Sequence, residues 1–341
     1  MKRVISIVLT AVMTLGIAGC SNSAATSSTG AAEGKKSEQK TVYFLTKILG
    51  NQYWSVVEQG AKDAAAELNV KLVVTGLASE AEVEKQVQQL QDAVSAKADA
   101  IVVGPVDSTA MANPVTDAFK SNIPVVIVDT MINTDNYSAA LMTNNLEAGK
   151  TAAKEMITRL KKSGLAETAK AQVAIQIGSS GSQTIIDRLK GFNEYWNANA
   201  PKTWEVLNKD IKVNDGDITK AVGFTQDFLT TYPNLKAVFG PNNGSTVGFV
   251  TGLKESKRTD VVMVGFDFSK EIETAIKEDK FPVATILQKQ YLMGYDGVKT
   301  AIDLANGKKP AQKLIDTGTM VVDKANIDKD EVKAIINPVK K

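Results

Sequence analysis

Histidine is absent from this sequence of 341 residues, and cysteine occurs once. Without histidine there is no Ser-His-Asp triad, no imidazole general base and no histidine-ligated zinc site. A single cysteine leaves no internal disulfide and no thiolate cluster. Neither a P-loop nor a GxGxxG dinucleotide motif occurs. These absences exclude most common catalytic arrangements but leave catalysis by carboxylates, Lys or Tyr possible. We expect no enzyme activity, no cofactor and no bound metal.

An excess of one charge is also missing. Lys and Arg total 40, and Asp and Glu total 38. Lys2 and Arg3 lie in an N-terminal segment without acids, so removing that segment leaves 40 − 2 = 38 basic against 38 acidic side chains. A balanced surface gives no reason to expect a nucleic-acid partner. The composition, 43% hydrophobic and 23% charged, is that of an ordinary globular chain.

The N-terminus has the pattern of an export signal. Two basic residues precede an uncharged apolar stretch, residues 4–17, which is too short to favour a membrane-spanning helix. The stretch leads into Ile17-Ala18-Gly19-Cys20, which resembles a lipoprotein cleavage box. We therefore predict a signal peptide over residues 1–19 and lipidation of Cys20, whose acyl chains would anchor the protein to a membrane. The alternatives are an ordinary secretion signal or a short apolar anchor.

Residues 20–40 hold almost no large apolar side chain and cannot form a core. We predict a flexible tether, which places the function outside the cytoplasm and near a membrane. The site of action is then either the periplasm or the outer face of the cytoplasmic membrane.

From residue 41 onward, short apolar runs alternate with amphipathic segments. Runs such as VVIV and VVMVG are apolar throughout, which is typical of strands buried on both faces of a parallel sheet. The first half predicts strands at 41–46, 70–75, 100–103 and 124–128, with helices at 53–68, 83–94 and 109–120. The second half predicts strands near 138–142, 172–177, 204–213, 235–239, 261–266, 282–287 and 319–322. Its predicted helices lie near 146–161, 183–198, 218–231, 245–256, 270–278 and 291–305. So many strands favour two Rossmann-like lobes of the α/β class, each with a doubly wound parallel sheet.

Ligands of such sheets bind at the carboxyl ends of the strands. The residues that follow the predicted strands include adjacent aromatics together with Asp, Asn, Gln and Arg side chains. Carboxylates and amides satisfy hydroxyl groups, Arg presents a fixed fork of donors, and an aromatic ring covers the apolar face of a sugar. This inventory suits a neutral polyol better than a phosphate. Asp107, Ser108 and Asp217 at similar positions are better explained as turn or helix-cap residues.

The same residues carry a family resemblance. The motifs NQYW, VDS, VDT, DRLKGF, PNN, VGFD and ATILQ occur in this order over roughly residues 41–336. Together they resemble the type I periplasmic sugar-binding proteins, the ribose-binding branch of the solute receptors of ABC transporters. The resemblance implies the following substrate-binding positions: Asn51, Tyr53, Trp54, Asp129, Thr130, Arg188, Asn242, Asp267 and Gln288.

Two positions depart from the family pattern. Thr130 stands where ribose binders have Arg, and Gly216 stands near the place of a third aromatic, which Phe268 or another aromatic would have to replace. The ligand is therefore not assumed to be ribose, and a different pentose, a hexose or a deoxyhexose is expected.

The resemblance also implies an organisation and a role. The three chain crossings of the family place lobe 1 at 41–142 plus 289–317, and lobe 2 at 143–288 plus 318–341, joined by a three-strand hinge. A monomer would close over a monosaccharide and deliver it to an ABC-transporter permease. The alternative is a sugar or autoinducer receptor that serves a sensor kinase or chemoreceptor. A glycosidase using Asp129 and Asp267 needs one carboxylate of raised pKa, which the nearby Arg188 argues against. A DNA-binding regulator of this fold needs a helix-turn-helix where this chain has a signal and a tether.

Overall fold

Two largely parallel sheets, each covered by helices on both faces, make up residues 39–338, the part of the chain that this computed structural model describes. The alternation of strands and helices confirms the predicted α/β class with two lobes. None of the helices in this range has the length and hydropathy that a membrane crossing requires.

The first lobe is built on a six-stranded sheet. Its strands are β1 (Thr41–Ile48), β2 (Lys71–Leu77), β3 (Ala100–Val103), β4 (Val125–Val128), β5 (Ala139–Met142) and β12 (Leu314–Asp316). They lie in the order β12-β5-β4-β3-β1-β2 and are all parallel. The helices of this lobe are α1 (Gln52–Glu67), α2 (Val83–Ser95), α3 (Ala112–Lys120) and α9 (Gln290–Ala305).

The second lobe repeats this plan. Its strands are β6 (Ala171–Ile177), β7 (Trp204–Val206), β8 (Lys212–Val213), β9 (Leu235–Gly240), β10 (Val262–Phe266), β11 (Val283–Gln288) and β13 (Thr319–Val322). The order is β13-β11-β10-β9-β6-β7, with β8 also paired to β6 and only β13 antiparallel. Its helices are α4 (Asn145–Lys162), α5 (Gln183–Asn199), α6 (Ile218–Thr231), α7 (Asn243–Glu255), α8 (Lys270–Glu278) and α10 (Asp330–Ile336).

Each sheet separates two apolar cores. Along β1, Phe44 packs into the core that contains α1 and α9, whereas Leu45 packs into the opposite core. In the second lobe, Val264 and Met263 likewise face opposite cores. Because successive strand residues point to opposite faces, strands buried on both sides must be apolar throughout, as these are.

The path of the chain sets the position of the cleft. The chain passes between the two sheets after β5, after β11 and after β12. In each sheet the strand order reverses beside the first strand, β1 in one lobe and β6 in the other, where the next strands in sequence lie on either side. Ligand sites of doubly wound sheets form at such switch points.

Two predictions of elements were wrong in detail, and two elements were missed. Residues 204–213 form two short strands instead of one, because the Asn208–Asp210 turn separates the residues that pair with β6. The third helix begins at Ala112 and not at residue 109, because the Asp107 carboxylate accepts hydrogen bonds from the amides of Thr109 and Ala110 and holds them in a turn. Strand β12 and helix α10 were not predicted at all.

Candidate functional site

The carboxyl ends of both sheets face one cleft. The first lobe supplies the segments after β1, β2 and β4, and the second lobe supplies those after β6, β8, β9 and β10. The cleft encloses a cavity of about 40 Å³. Its lining is Lys47, Ile48, Asn51, Tyr53, Trp54, Glu80, Asp129, Ser182, Thr184, Ile185, Arg188, Gly216, Asn242, Asn243, Gly244 and Asp267.

Asp129 is the most heavily bonded acid of the cleft. It follows β4 with a φ of 66° and is buried. Tyr53 donates its hydroxyl to Oδ1 at 2.7 Å, and Thr130 donates to Oδ2 at 2.6 Å. Burial alone would raise the pKa of Asp129, but Lys47, Arg188 and these hydrogen bonds outweigh it and hold the pKa below its usual value. Burial beside this carboxylate raises the pKa of Tyr53, so both groups keep their ordinary neutral-pH forms.

Lys47 is a buried cation that the sequence analysis missed. It lies at the end of β1, and its ammonium is 3.1 Å from Asp129 Oδ2 and 2.6 Å from the hydroxyl of Thr130. Lys47 thus places a positive charge beside Thr130, where ribose binders have Arg, but from β1, which β3 separates from β4. A lysine within the otherwise uncharged strand TVYFLTKI was the available signal.

Arg188 projects from α5 and is 1% exposed. Its Nε donates to Asn145 Oδ1 at 2.9 Å, and Nη1 donates to the carbonyl of Pro241 at 2.6 Å. The guanidinium lies 3.9 Å from the centre of the Phe266 ring. Burial lowers the pKa of Arg188, although Asp267 and Asp129 oppose this. Among the described residues, the buried Nη2 has no hydrogen-bond partner, so this residue of the cavity lining retains an unpaired donor.

Asp267 follows β10 with a φ of 74°, which directs its buried carboxylate into the cleft. Gln288 donates to its Oδ1 at 2.6 Å, and Thr143 in turn donates to Gln288 at 2.7 Å. Burial raises the pKa of Asp267 to about 6 despite the opposing effects of Arg188 and Gln288. The expectation that Arg188 would prevent a raised pKa was therefore wrong, because desolvation outweighs the attraction.

Asn51 and Asn242 bring amide side chains to the cavity from opposite lobes. Asn51 accepts hydrogen bonds from the amides of Tyr53 and Trp54 at the start of α1, and its Nδ2 donates to Asn243 of the other lobe at 3.2 Å. Asn242 immediately precedes α7, and its Oδ1 is buried without a partner in the described range. The lining thus offers an unsatisfied acceptor as well as the unsatisfied donor of Arg188.

The aromatic side chains form one wall of the cavity. Tyr53 and Trp54 meet edge to face, with ring centres 5.4 Å apart. At the opposite wall, Gly216 has a φ of 77°, and a Cβ there would lie 2.3 Å from Ile48 Cδ1. Ile48 therefore occupies that space. Phe268 does not replace the third aromatic, because it packs against the core of the second lobe.

Glu80 is a second residue that the sequence analysis missed. It lies three residues after the end of β2, and its side chain is half-buried in the cleft. Burial raises the pKa of Glu80, and Lys47 opposes the shift.

The lobes are in contact across the cleft. The amide of Glu80 donates to the carbonyl of Asp215, and the amide of Ser108 donates to the carbonyl of Gly181. A cavity of about 40 Å³ has room for about three water molecules, far less than a sugar ring needs. The two lobes are therefore closed on each other in this structure.

Seven of the nine predicted contact residues line the cavity together. Thr130 and Gln288 do not line it but lie behind Asp129 and Asp267, to which they donate hydrogen bonds. Asp217 caps α6 as expected, by accepting a hydrogen bond from the amide of Lys220. Cys20 lies outside the described residues.

This two-lobed fold with a polar cleft defines a class of binding protein, and comparison with known proteins agrees. The chain belongs to the periplasmic binding protein domain family, whose model matches residues 42–309. The ribose import binding protein of Escherichia coli K12 is 30% identical over 273 residues, which is 80% of this chain and 87% of that protein.

Solved structures show the same likeness. A carbohydrate transporter solute-binding protein from Agrobacterium radiobacter, in complex with D-arabinose, has a TM-score of 0.83 at 29% identity and covers 88% of this chain and 100% of its own. An ABC-transporter solute-binding protein from Agrobacterium vitis with bound D-fucose has a TM-score of 0.78 at 31% identity, covering 86% of this chain and 98% of its own. This chain is accordingly a type I periplasmic sugar-binding protein of the ABC-transporter class, and not an enzyme.

Proposed function

We propose that the protein captures a neutral monosaccharide between its lobes outside the cytoplasm and delivers it to an ABC-transporter permease. The observation that carries the proposal is the pair of unsatisfied buried atoms at the cavity, the donor Arg188 Nη2 and the acceptor Asn242 Oδ1. Groups of this kind are costly when unpaired, and a ligand hydroxyl, which donates and accepts, satisfies both.

The residues predicted from the sequence take two roles in this proposal. Asn51, Tyr53, Trp54, Asp129, Arg188, Asn242 and Asp267 contact the sugar. Thr130 and Gln288 orient the contacting carboxylates from behind. Pentoses, hexoses and deoxyhexoses are the candidate ligands, since relatives are described with ribose, D-arabinose and D-fucose.

A thermal-shift screen of the purified protein against pentoses, hexoses, deoxyhexoses and polyols tests the binding. A sugar at 100 times its Kd adds about 2.7 kcal/mol to the free energy of unfolding, which corresponds to several degrees in Tm. A shift by one sugar or a few related sugars is expected. No shift across the panel would overturn the proposal and favour another small metabolite.

Lipid anchoring through Cys20 forms a separate part of the proposal. It is supported by the position of the only cysteine directly after Ile17-Ala18-Gly19. In the native host, the protein is expected to partition into the detergent phase on Triton X-114 extraction, and Cys20→Ala is expected to move it to the aqueous phase. Aqueous partition of both proteins would contradict the anchor without affecting the sugar site.

A further inference from the structure

The charges that line the cavity do not cancel. Three carboxylates, Glu80, Asp129 and Asp267, face two cations, Lys47 and Arg188. An unpaired charge in a partly desolvated cleft is costly unless a bound group compensates it. A carboxylate without a protein partner therefore influences which ligands the cleft binds.

Two of the carboxylates already have protein partners. Asp129 accepts hydrogen bonds from Tyr53 and Thr130 and forms an ion pair with Lys47. Asp267 accepts a hydrogen bond from Gln288. Glu80 differs, because within residues 39–338 its only hydrogen bond is the one that its backbone amide donates, and no side chain or amide donates to its carboxylate. It is the acid of the lining whose acceptor sites are all available.

The closed arrangement holds this carboxylate at the cavity. Its backbone amide donates to the carbonyl of Asp215 at 3.0 Å, so the segment after β2 is docked on the second lobe. The carboxylate then lies against Gly178, where a Cβ would be 2.5 Å from Oε2 and 2.8 Å from Asn242 Nδ2. Because any side chain at Gly178 would occupy this position, the glycine provides the room into which Glu80 and Asn242 converge from opposite lobes.

We propose that Glu80 is a ligand-contacting specificity residue, which accepts hydrogen bonds from hydroxyl groups of a neutral sugar and excludes sugars that carry a carboxylate or phosphate. The inference rests on the proposed sugar-binding function and adds a contact residue that selects neutral over anionic sugars. A hydroxyl donates to a carboxylate in a strong, charge-assisted bond. An anionic substituent would meet a third carboxylate that no cation neutralises, and like charges at short range repel strongly when water is excluded.

The test is calorimetric titration of wild type, Glu80→Gln and the matched control Glu84→Gln. Glu84 is an exposed acid at the start of α2 and does not line the cavity. The probes are two pairs of sugars, D-arabinose with D-arabinose 5-phosphate and D-fucose with D-galacturonate, together with the tightest neutral sugar of the thermal-shift screen. The unliganded Tm of each variant reports folding.

Wild type and Glu84→Gln are expected to bind the neutral sugar and to bind its anionic partner at least 100-fold more weakly. Glu80→Gln is expected to bind the neutral sugar about tenfold more weakly, because an amide oxygen is a weaker acceptor than a carboxylate. In the same variant, the ratio of the affinity for the neutral sugar to the affinity for the anionic sugar is expected to fall about tenfold, because one like charge is removed.

Three outcomes would count against the inference. Unchanged affinity of folded Glu80→Gln for the neutral sugar overturns it while the sugar-binding function stands. Equal affinity of wild type for the neutral and the anionic sugar of a pair also overturns the inference, and the sugar-binding function again stands. A wild-type protein that binds no sugar of the screen overturns the proposed function, and the inference with it.

Discussion

Lys47 and Asp129 form an ion pair inside the cleft, with 3.1 Å between Nζ and Oδ2 and with side chains that are only 7% and 6% exposed. The pair joins the ends of β1 and β4 within the first lobe. Lys47 also approaches Ser182 of the second lobe, at 3.4 Å from its hydroxyl. One cation therefore both neutralises the main carboxylate of the cleft and reaches across the lobe boundary.

Replacing Lys47 by methionine is expected to destabilise the protein by about 3 to 5 kcal/mol, because it leaves the buried Asp129 charge without its partner. The pKa of Asp129 is expected to rise for the same reason. Chemical denaturation at pH 7 measures the first effect. Lys85→Met is the control, since Lys85 is 53% exposed and its pair with Glu82 should contribute at most about 1 kcal/mol. Equal stabilities of the two variants would contradict this reading of the pair.

The raised pKa of Asp267 predicts a dependence of stability on pH. Its folded-state pKa of about 6 lies above the ordinary value of 3.8, so the native chain binds this proton before the unfolded chain does as the pH falls. The group therefore adds to the free energy of unfolding below pH 6, and the contribution is lost as the pH rises through 6. Asp267→Asn is expected to remove this component from the difference between the unliganded stabilities at pH 7 and pH 5. An unchanged difference would contradict the raised pKa.

Sugar binding is expected to show the opposite trend. If ligand hydroxyls donate to the Asp267 carboxylate, a protonated Asp267 must lose its proton before the sugar binds. The affinity for the sugar is therefore expected to fall as the pH drops through 6, and to be roughly tenfold lower at pH 5 than at pH 7.5. Calorimetry across this range measures the trend. In Asp267→Asn the affinity should be low and much less dependent on pH, and a wild-type affinity that does not change would exclude this contact.

Arg188→Ala and Asp267→Ala are each expected to weaken sugar binding at least 100-fold while the protein still folds. Arg188→Ala should also lower stability, because it leaves Asn145 Oδ1 and the Pro241 carbonyl without their donor. Arg258→Ala is the matched control, since Arg258 pairs with Asp260 at the surface and does not line the cavity. Full affinity in both cleft variants would refute the assignment of the pocket.

Ser108 is expected to stabilise the closed state of the two lobes. It is buried, its hydroxyl donates to the carbonyl of Met131 at 2.7 Å, and it accepts a hydrogen bond from the amide of Gln183 in the other lobe at 2.9 Å. Ser108→Ala leaves the Gln183 amide unpaired only when the lobes are closed, which should weaken affinity about fivefold to tenfold. Titration and small-angle scattering with Ser121→Ala as control check this, and a wild-type affinity would show that the contact does not favour closure.

Much of the fold followed from local pattern. Apolar runs such as Val125–Val128 and amphipathic segments such as Ile218–Thr231 have the periodicities of buried strands and covering helices. Their alternation suffices to predict a doubly wound sheet. Strand β12 escaped prediction because its residues are largely exposed and have no apolar pattern, so its place at the sheet edge depends on pairing with β5.

The α/β class, the two lobes and the strand ends at which ligand groups occur can be inferred from the amino-acid sequence, because they depend on hydrophobic periodicity and chain order. Which of those groups act together depends on how the folded segments pack. Lys47 neutralises Asp129 from another strand, Glu80 and Asn242 approach Gly178 from opposite lobes, and burial raises the pKa of Asp267 beside a cation. Such relationships depend on distance and desolvation across the cleft, and these arise only when separate segments of the chain are packed together.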